Sequence, residues 1–124
     1  MMNNFITIVK FNNMNKIMKT YILNNKLIVG KCESSIQDNV GYINHIHILP
    51  KFRNKKLGSK LLKKTEDTIK NDFNVNKINI LVWNKMNTEL INFYLKNNYN
   101  IIENVDTYDD GVYLYDLINV KKVV

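Results

Sequence analysis

The stretch IHILPKFRNKKLGSKLL, residues 46–62, decides the fold of this chain. It joins an apolar, strand-like run to a helix with leucine spacing through a short basic loop that contains Gly58. Pro50 cannot donate to a β-ladder and marks the end of the strand. A strand that leads through such a loop into a helix presents unpaired backbone N–H groups and the positive end of the helix dipole. The stretch therefore predicts an anion-binding turn.

Four β-strands are predicted before this turn from their β-branched and aromatic residues. They cover residues 5–9, 21–23, 26–31 and 41–49. The second and third form a hairpin around Asn24 and Asn25, because Asn tolerates the left-handed conformations of tight turns. Residues 12–19 favour one or two helical turns.

Two helices and three strands are predicted after the turn. Residues 57–71 place Leu57, Leu61, Leu62 and Ile69 on one helical face. The run KINILVW, residues 77–83, is apolar enough for a central strand. Asn87 is a good N-cap for a second helix that ends near residue 96. Its apolar stripe contains Leu90, Ile91, Tyr94 and Leu95. Residues 99–103 and 112–120 form two closing strands, separated by an acidic turn at 106–111.

The order of these elements defines the fold class. It is β, short α, β, β, β, α, β, α, β, β, which predicts a mixed α/β fold with helices on the faces of a mostly antiparallel, twisted sheet. No repeat and no linker interrupts the sequence. Its 124 residues predict a single domain, residues 1–124.

Charge and composition narrow the possible partners. The net charge of +7 indicates an anionic partner such as nucleic acid, a membrane surface or a phosphorylated small molecule. A single cysteine, Cys32, excludes an intramolecular disulfide, and no Cys/His spacing predicts a metal site. No apolar run is long enough to cross a bilayer, and the N-terminus lacks a signal sequence, so we expect a cytoplasmic protein without membrane contact.

Two motifs carry a resemblance to a known family. Residues 53–58, RNKKLG, are similar to the pyrophosphate loop Q/R-x-x-G-x-G/A of the GNAT superfamily of acetyl-CoA-dependent N-acetyltransferases, and 48–52, ILPKF, resemble its lead-in. Downstream, Asn87-x-x-Leu90-x-x-Phe93-Tyr94-x-x-x-Asn98-Tyr99 resembles the helix motif of the same family. The resemblance covers residues 40–104 and implies an acyl-CoA N-acyltransferase-like fold. Without it, the lysines of the loop are better explained as the solvated face of an amphipathic helix.

Two residues depart from the family pattern. Lys56 stands where the family keeps its first glycine, which places a side chain beside the cofactor loop. Weaker binding of coenzyme A, or an added contact between Lys56 and phosphate, follows from this change. Asn98 replaces the glycine after the second helix, and Asn is the next-best residue at a left-handed C-cap.

The resemblance implies a role for each matching residue. Backbone N–H groups of Ile46, His47 and Ile48 hold the acetyl carbonyl and pantetheine. The start of the helix holds the pyrophosphate through Arg53, Asn54, Lys55, Lys56, Leu57, Gly58, Ser59 and Lys60. Tyr94 is the general acid that protonates the leaving thiolate, and the alternative is a core aromatic residue. Asn87 caps the second helix and contacts the cofactor.

The general base is less well defined. Many family members carry Glu at the positions of Asn44 or Val82, and neither residue here can accept a proton. His45 is the best substitute because an imidazole titrates near neutrality. Alternatives are His47, a water chain, or an amine that is already deprotonated. Cys32 is excluded as a nucleophile because no activating base lies near it in the sequence.

The acceptor and the activity class remain open at this point. The acidic segment 103–116 suits a cationic acceptor amine such as a polyamine, a lysine side chain or a peptide N-terminus, although a solvated turn explains it equally well. The connection between the first two strands is short, so we expect the acceptor groove to be open on that side. An open groove favours a peptide or protein acceptor, or closure of the groove by a second subunit. The leading hypothesis is an N-acetyltransferase with acetyl-CoA as cosubstrate and no metal, as a monomer or homodimer. The alternatives are a catalytically silent domain that binds coenzyme A or a partner, and a small nucleic-acid-binding domain.

Overall fold

The fold is a seven-stranded sheet with two α-helices in the described part of the chain. The computed structural model describes residues 5–83, 88–109 and 114–124, with side chains at 5–80, 89–101 and 121–124. Its elements are β1 Phe5–Asn12, β2 Ile17–Asn24, β3 Leu27–Gln37, β4 Val40–Ile48, α1 Leu57–Phe73, β5 Lys77–Trp83, α2 Thr88–Lys96, β6 Asn100–Asp109 and β7 Leu114–Val123. A 3₁₀ turn, Pro50–Phe52, lies between β4 and α1. The predicted mixed α/β class is confirmed.

The sheet order is β1-β2-β3-β4-β5-β7-β6, and β4 and β5 are its parallel pair. Helix α1 carries the chain back between these strands, as a parallel pair requires. Their pairing is limited to Gly41 with Ile78 and Tyr42 with Asn79. Beyond these residues the two strands run on without pairing to each other, so the sheet opens between them.

A β-bulge interrupts β4 shortly after this opening. Asn44 is an extra residue, because its two neighbours on β4 pair with two consecutive residues of β3. The bulge places Asn44 and His45 next to each other on the exposed side of the strand. After it, His47 is exposed, whereas Ile46 and Ile48 are half-buried. The predicted separation of the histidines from the isoleucines is therefore confirmed.

The predicted short helix at residues 12–19 is wrong, because these residues form the turn between β1 and β2 and the first part of β2. Asn12 Oδ1 accepts a hydrogen bond from the backbone N–H of Met14 at 2.9 Å, and Asn15 Oδ1 accepts one from Ile17 at 3.0 Å. Such side-chain bonds stabilise turns. Strand β1 then pairs along its whole length with β2, which a helix here would prevent.

Two predicted turns are displaced in the structure. The β2–β3 turn lies at Asn25 and Lys26, one residue later than expected, and both have positive φ, 51° and 77°. Paired positive φ values are those of a type I′ hairpin. Asp106 was assigned to an acidic turn, but it lies within β6. Residues 107–109 of that predicted turn also lie in β6, and its remaining residues, 110–111, lie outside the described residues.

The core lies between α1 and strands β1 to β4. All four leucine and isoleucine residues of the predicted α1 stripe are buried, namely Leu57, Leu61, Leu62 and Ile69. Helix α2 buries Ile91 and Tyr94 and half-buries Leu90 and Phe93. Leu95 was predicted for this stripe, but it is 40% exposed.

A buried polar network connects α1 to β7 and to the end of α2. Glu66 on α1 is 3% exposed and accepts hydrogen bonds from the Tyr99 hydroxyl at 2.8 Å and from Lys122 Nζ at 3.1 and 3.2 Å. Lys122 Nζ also donates to the carbonyl of Asn97 at 3.0 Å. Burial, with the adjacent Glu66 carboxylate, raises the pKa of Tyr99 above its ordinary value, so the phenol stays a donor. The network satisfies charges that would otherwise be costly to bury.

We expect Glu66→Ala to destabilise the fold by about 3 kcal/mol, because it leaves Lys122 and Tyr99 without their acceptor. Asp67→Ala is the matched control, since Asp67 pairs with Lys63 at 3.1 Å with both side chains largely exposed. The control should change stability by less than about 0.5 kcal/mol. Urea unfolding of both variants measures the difference. Equal losses would show that the buried network contributes no more than a surface ion pair.

Candidate active site

An open groove of about 820 Å³ lies between the end of β4, the start of α1 and one side of α2. Strand β4 and the connection to α1 form one wall, and α2 forms the other. Its lining residues are Ile46, His47, Ile48, Phe52, Arg53, Asn54, Lys56, Leu57, Gly58, Ser59, Glu89, Leu90, Phe93 and Lys96. The sequence-predicted cofactor residues among them are thus brought together at one place.

The connection to α1 is shaped by two left-handed residues. Asn54 has φ 62°, and Lys56, the N-cap of α1, has φ 60° and ψ 19°. A left-handed backbone is where glycine is favoured, which explains why the family motif has glycine where this chain has Lys56. The first backbone bond of α1 runs from the N–H of Lys60 to the carbonyl of Lys56 at 3.2 Å.

Backbone donors are therefore available at the start of α1. Within the described residues, the N–H groups of residues 54–59 donate to no backbone carbonyl. The first turn of α1 contains no acidic side chain. Unpaired donors, the helix dipole and the basic loop favour a bound anion at this position.

The edge of β4 that faces the opening offers further donors. Leu49 donates its N–H to the carbonyl of Val29 on β3 at 2.9 Å. Because successive N–H groups of a strand point to opposite edges, Ile46 and Ile48 turn theirs to the edge that β5 leaves unpaired. His47 directs its N–H to β3 and contributes its side chain to the groove. Two of the three backbone donors expected here thus face the opening.

Arg53 is anchored beside this edge. Its Nε donates to the carbonyl of Ile48 at 2.9 Å, which holds the exposed guanidinium at the groove. The described residues provide no carboxylate within salt-bridge distance of it. The remaining N–H donors of Arg53 are therefore available to an anionic ligand.

Two of the predicted pyrophosphate residues do not line the groove. Lys55 places its ammonium 5.8 Å from the centre of the Phe52 ring. Lys60 Nζ donates to the carbonyl of Phe5 at 2.9 Å and so ties α1 to the first strand. In the basic loop, Lys56 and Arg53 are the cationic side chains at the groove.

Tyr94 lies in the core beside the groove. It is 2% exposed and packs edge-to-face against Phe93 and Tyr99, with ring centroids 5.4 Å apart in each pair. Burial, with a smaller effect of Cys32, raises the pKa of Tyr94 above its ordinary value, so the phenol is protonated at neutral pH. Tyr94 is not among the lining residues, and its role as general acid stays a prediction. Asn87, the predicted cap, lies outside the described residues.

The two histidines differ in their position relative to the groove. Their rings stack with centroids 6.2 Å apart and an interplanar angle of 15°. His47 lines the groove, whereas His45 lies two residues earlier on β4, beside the bulge. Asn44 donates its side-chain amide to Ser35 Oγ at 3.3 Å, and the Val82 side chain lies outside the described residues. The assignment of His45 as base stays a prediction.

Cys32 has no catalytic position. It is fully buried, and burial raises the pKa of its thiol to about 12. The thiol is therefore protonated at neutral pH, which agrees with its exclusion as a nucleophile.

Five lining residues were not predicted as site residues. Phe52 precedes the loop, and Glu89, Leu90, Phe93 and Lys96 lie on α2. Glu89, Phe93 and Lys96 stand at i, i+4 and i+7, which is the helical spacing that could have identified this face. The ring of Phe93 approaches α1 so closely that a Cβ at Gly58 would lie 3.1 Å from it. Glycine at position 58 therefore lets the two helices meet at the base of the groove.

A sheet that opens between its parallel strands beside an anion-binding helix start defines the acyl-CoA N-acyltransferase class of fold. A sequence model of the Acetyltransferase (GNAT) family matches residues 9–99. The chain therefore belongs to the GNAT family of acetyltransferases, and the predicted acetyl-CoA-dependent acyltransferase is confirmed at the level of the family. A comparison with curated protein sequences found no match.

Solved structures of the same fold are numerous. A GNAT acetyltransferase from Elizabethkingia anophelis, crystallised with acetyl-CoA, is similar with TM-score 0.79 and 18% identity over 98% of this chain and 99% of that chain. The ribosomal-protein-S18-alanine N-acetyltransferase of Escherichia coli has TM-score 0.71 and 17% identity over 88% and 70%. The PaiA N-acetyltransferase of Thermoplasma acidophilum, in complex with coenzyme A, has TM-score 0.71 and 21% identity over 88% and 62%. The TM-scores show that this chain shares their fold.

The described part of the chain has neither a cluster of metal-binding side chains nor a membrane-spanning helix. In the described segments, no three His, Cys, Asp or Glu side chains lie close enough together to hold a metal ion. Over the same part of the chain, no helix is long and apolar enough to cross a membrane.

We expect Lys56→Gly to stabilise the protein by about 0.5 to 1 kcal/mol, because glycine adopts the left-handed backbone without strain. Lys55→Gly removes the same charge at a neighbouring position whose φ is not positive. There, the added freedom of the unfolded chain should lower stability by about 0.5 to 1 kcal/mol. Thermal unfolding compares the two variants. A loss of stability in both would contradict the strain assigned to Lys56.

Proposed function

We propose that this chain transfers the acetyl group of acetyl-CoA to a primary amine by direct attack of the amine on the thioester. The observation that carries the proposal is the set of unpaired backbone donors along one groove. They extend from Ile46 and Ile48 on β4 to residues 54–59 at the start of α1. The residues present therefore suit a ligand with a diphosphate and an amide-containing arm.

In this proposal the start of α1 holds the diphosphate. The N–H groups of residues 54–59 donate to its oxygens, and Arg53 and Lys56 add positive charge. Lys96, across the groove on α2, is a third cation at this site. The replacement of the motif glycine by Lys56 is expected to weaken binding. The ammonium of Lys56 can reach a phosphate, and this contact offsets part of that loss.

The backbone donors on β4 bind the amide-containing arm of acetyl-CoA and its acyl carbonyl. The Ile46 and Ile48 N–H groups lie where the sheet opens, and hydrogen bonds to a developing oxyanion lower the barrier to its formation. Acetyl-CoA, when bound, supplies an activated acyl group on sulfur. Phe52, Leu90 and Phe93 provide apolar surface that excludes water from this part of the groove.

Proton transfer is assigned to side chains beside the groove. His45, or His47 at the groove itself, removes a proton from the acceptor amine, because a neutral imidazole nitrogen can act as a general base. Tyr94 donates a proton to the leaving thiolate. The protonated phenol supports this role, and Tyr94 packs against Phe93, which lines the groove.

Acetyl-CoA should raise the melting temperature of the protein in a saturable manner, because a ligand that binds the native state stabilises it. A hundredfold excess over the dissociation constant corresponds to about 2.7 kcal/mol. A short single-stranded oligonucleotide, the control, should give no shift. Absence of any shift with millimolar acetyl-CoA would overturn the proposal, and a shift with the oligonucleotide alone would favour the nucleic-acid-binding alternative.

Tyr94→Phe should lower kcat at least about tenfold and leave the dissociation constant of acetyl-CoA unchanged, because it removes the proton donor and keeps the ring. Tyr99→Phe is the matched control, since it removes a hydroxyl that is bonded to Glu66. The control should lower stability with kcat retained. Release of free thiol from acetyl-CoA in the presence of an amine measures kcat. An unchanged kcat in Tyr94→Phe would assign the ring to the core alone.

A catalytically silent domain is the second candidate. It is favoured by Asn44, whose amide is bonded to Ser35 and cannot accept a proton from an amine. A melting-temperature shift with acetyl-CoA, combined with no thiol release across a panel of amines, would support this candidate over the acetyltransferase.

A further inference from the structure

One face of the strands β1 to β4 has no helix packed on it in the described part of the chain. Helix α1 packs against β1, β2, β3 and β4 on the face that contains Met18, Ile22 and Cys32. Helix α2 lies beside α1, as the contact between Phe93 and Gly58 shows. Alternate side chains point to the other face, which we call the open face. Its residues include Ile6, Ile8, Lys10, Lys19, Tyr21, Leu23, Ile28, Lys31, Glu33, His45 and His47.

The open face has an apolar patch on the edge strand β1 and on the adjoining ends of β2 and β3. Ile6, Ile8 and Ile28 are 60%, 39% and 50% exposed. They are neighbours in the sheet, since Ile6 pairs with Leu23, which pairs with Ile28, and Ile8 pairs with Tyr21. Exposed apolar residues that adjoin one another on a surface are typical of an interaction site.

The apolar patch is bordered by positive charge. Lys10 pairs with Lys19 across β1 and β2, and Lys31 pairs with Tyr21 across β2 and β3. Strands β1 to β4 contain a single carboxylate, Glu33. The surface is therefore complementary to a partner that presents apolar and acidic side chains together.

The open face leads directly to the groove. Lys31 pairs with His47, which lines the groove, and Glu33 pairs with His45. A molecule bound on this face would place its end beside the imidazoles that we assign to deprotonation of the acceptor amine. We propose that the open face docks a polypeptide acceptor whose amine is flanked by apolar and acidic side chains. This inference rests on the proposed function and names its substrate class.

Two other occupants fit the surface less well. A second copy bound by the same face would bring Lys10, Lys19 and Lys31 of both copies together, and like charges oppose such a symmetric contact. Single-stranded nucleic acid binds to aromatic side chains on which its bases stack. The most exposed large residues of the open face are aliphatic, which suits side chains of a polypeptide.

The test compares two peptides and a small amine as acceptors. Both peptides have one lysine and a blocked N-terminus; one has Glu and Leu flanking the lysine, and the other has Ser and Arg. N-acetyl-lysine methylamide is the small amine. We expect kcat/KM for the acidic, apolar peptide to exceed that of the other two at least about tenfold, the equivalent of 1.4 kcal/mol.

Variants then locate the binding surface. Ile8→Ser and Lys10→Glu should each lower kcat/KM for the acidic peptide by about tenfold, with turnover of the small amine and the KM of acetyl-CoA unchanged. Met14→Ser and Lys70→Glu are the matched controls, because both residues are exposed and lie off the open face. The controls should change neither value. Both test positions are at the surface, so circular dichroism should show intact folds.

Three outcomes would overturn the inference. They are equal kcat/KM for all acceptors, a dimer in sedimentation that Ile8→Ser dissociates, and oligonucleotide binding that Lys10→Glu abolishes. If no amine releases thiol from acetyl-CoA, the proposed function has failed independently. Fluorescence anisotropy of the labelled acidic peptide then still tests the surface, since binding that is weakened by Ile8→Ser and not by Met14→Ser supports it. Absence of binding overturns it.

Discussion

The separation of β4 from β5 is the constraint on which the rest of the site depends. Two residue pairs join these strands, and beyond them no described strand pairs with β4 on the side of β5. Backbone donors at such an edge require a partner from water or a ligand. The same divergence makes room for the start of α1, which adds its own unpaired donors. A break in the sheet that costs hydrogen bonds thus creates a continuous strip of donors along one groove.

Much of the fold could be predicted because local patterns and burial agree. The α1 stripe, the apolar β5 and the hairpin around Asn25 follow from spacing and turn preference. From the sequence, residues 12–19 could not be distinguished from a short helix. They form a turn and the first part of β2 because β1 pairs with β2 along its whole length. Asp106 was placed in a turn because of its charge, yet strand pairing with β7 determines its position.

The candidate site was predictable in its backbone and less so in its side chains. Residues 53, 54 and 56–59 are at the groove because a motif in a short connection fixes the main chain. Lys60 is not, because its long side chain reaches the carbonyl of Phe5, a contact between residues far apart in sequence. Lys96 and Glu89 were missed since the orientation of α2 depends on its contact with Gly58. The backbone of Lys56 is left-handed, which gives a physical reason for the glycine that the family motif has at this position.

The position of β7 has a consequence for how the chain acquires this structure. Strand β7 lies between β5 and β6, and β6 pairs with β7 alone among the described strands. During synthesis β6 therefore emerges before the strand that attaches it to the sheet. Lys122, which completes the charge network around Glu66, arrives later still. The amino-terminal strands and α1 can collapse early on the ribosome, whereas the end of α2, the second wall of the groove, bonds to Lys122 only after β7 has emerged.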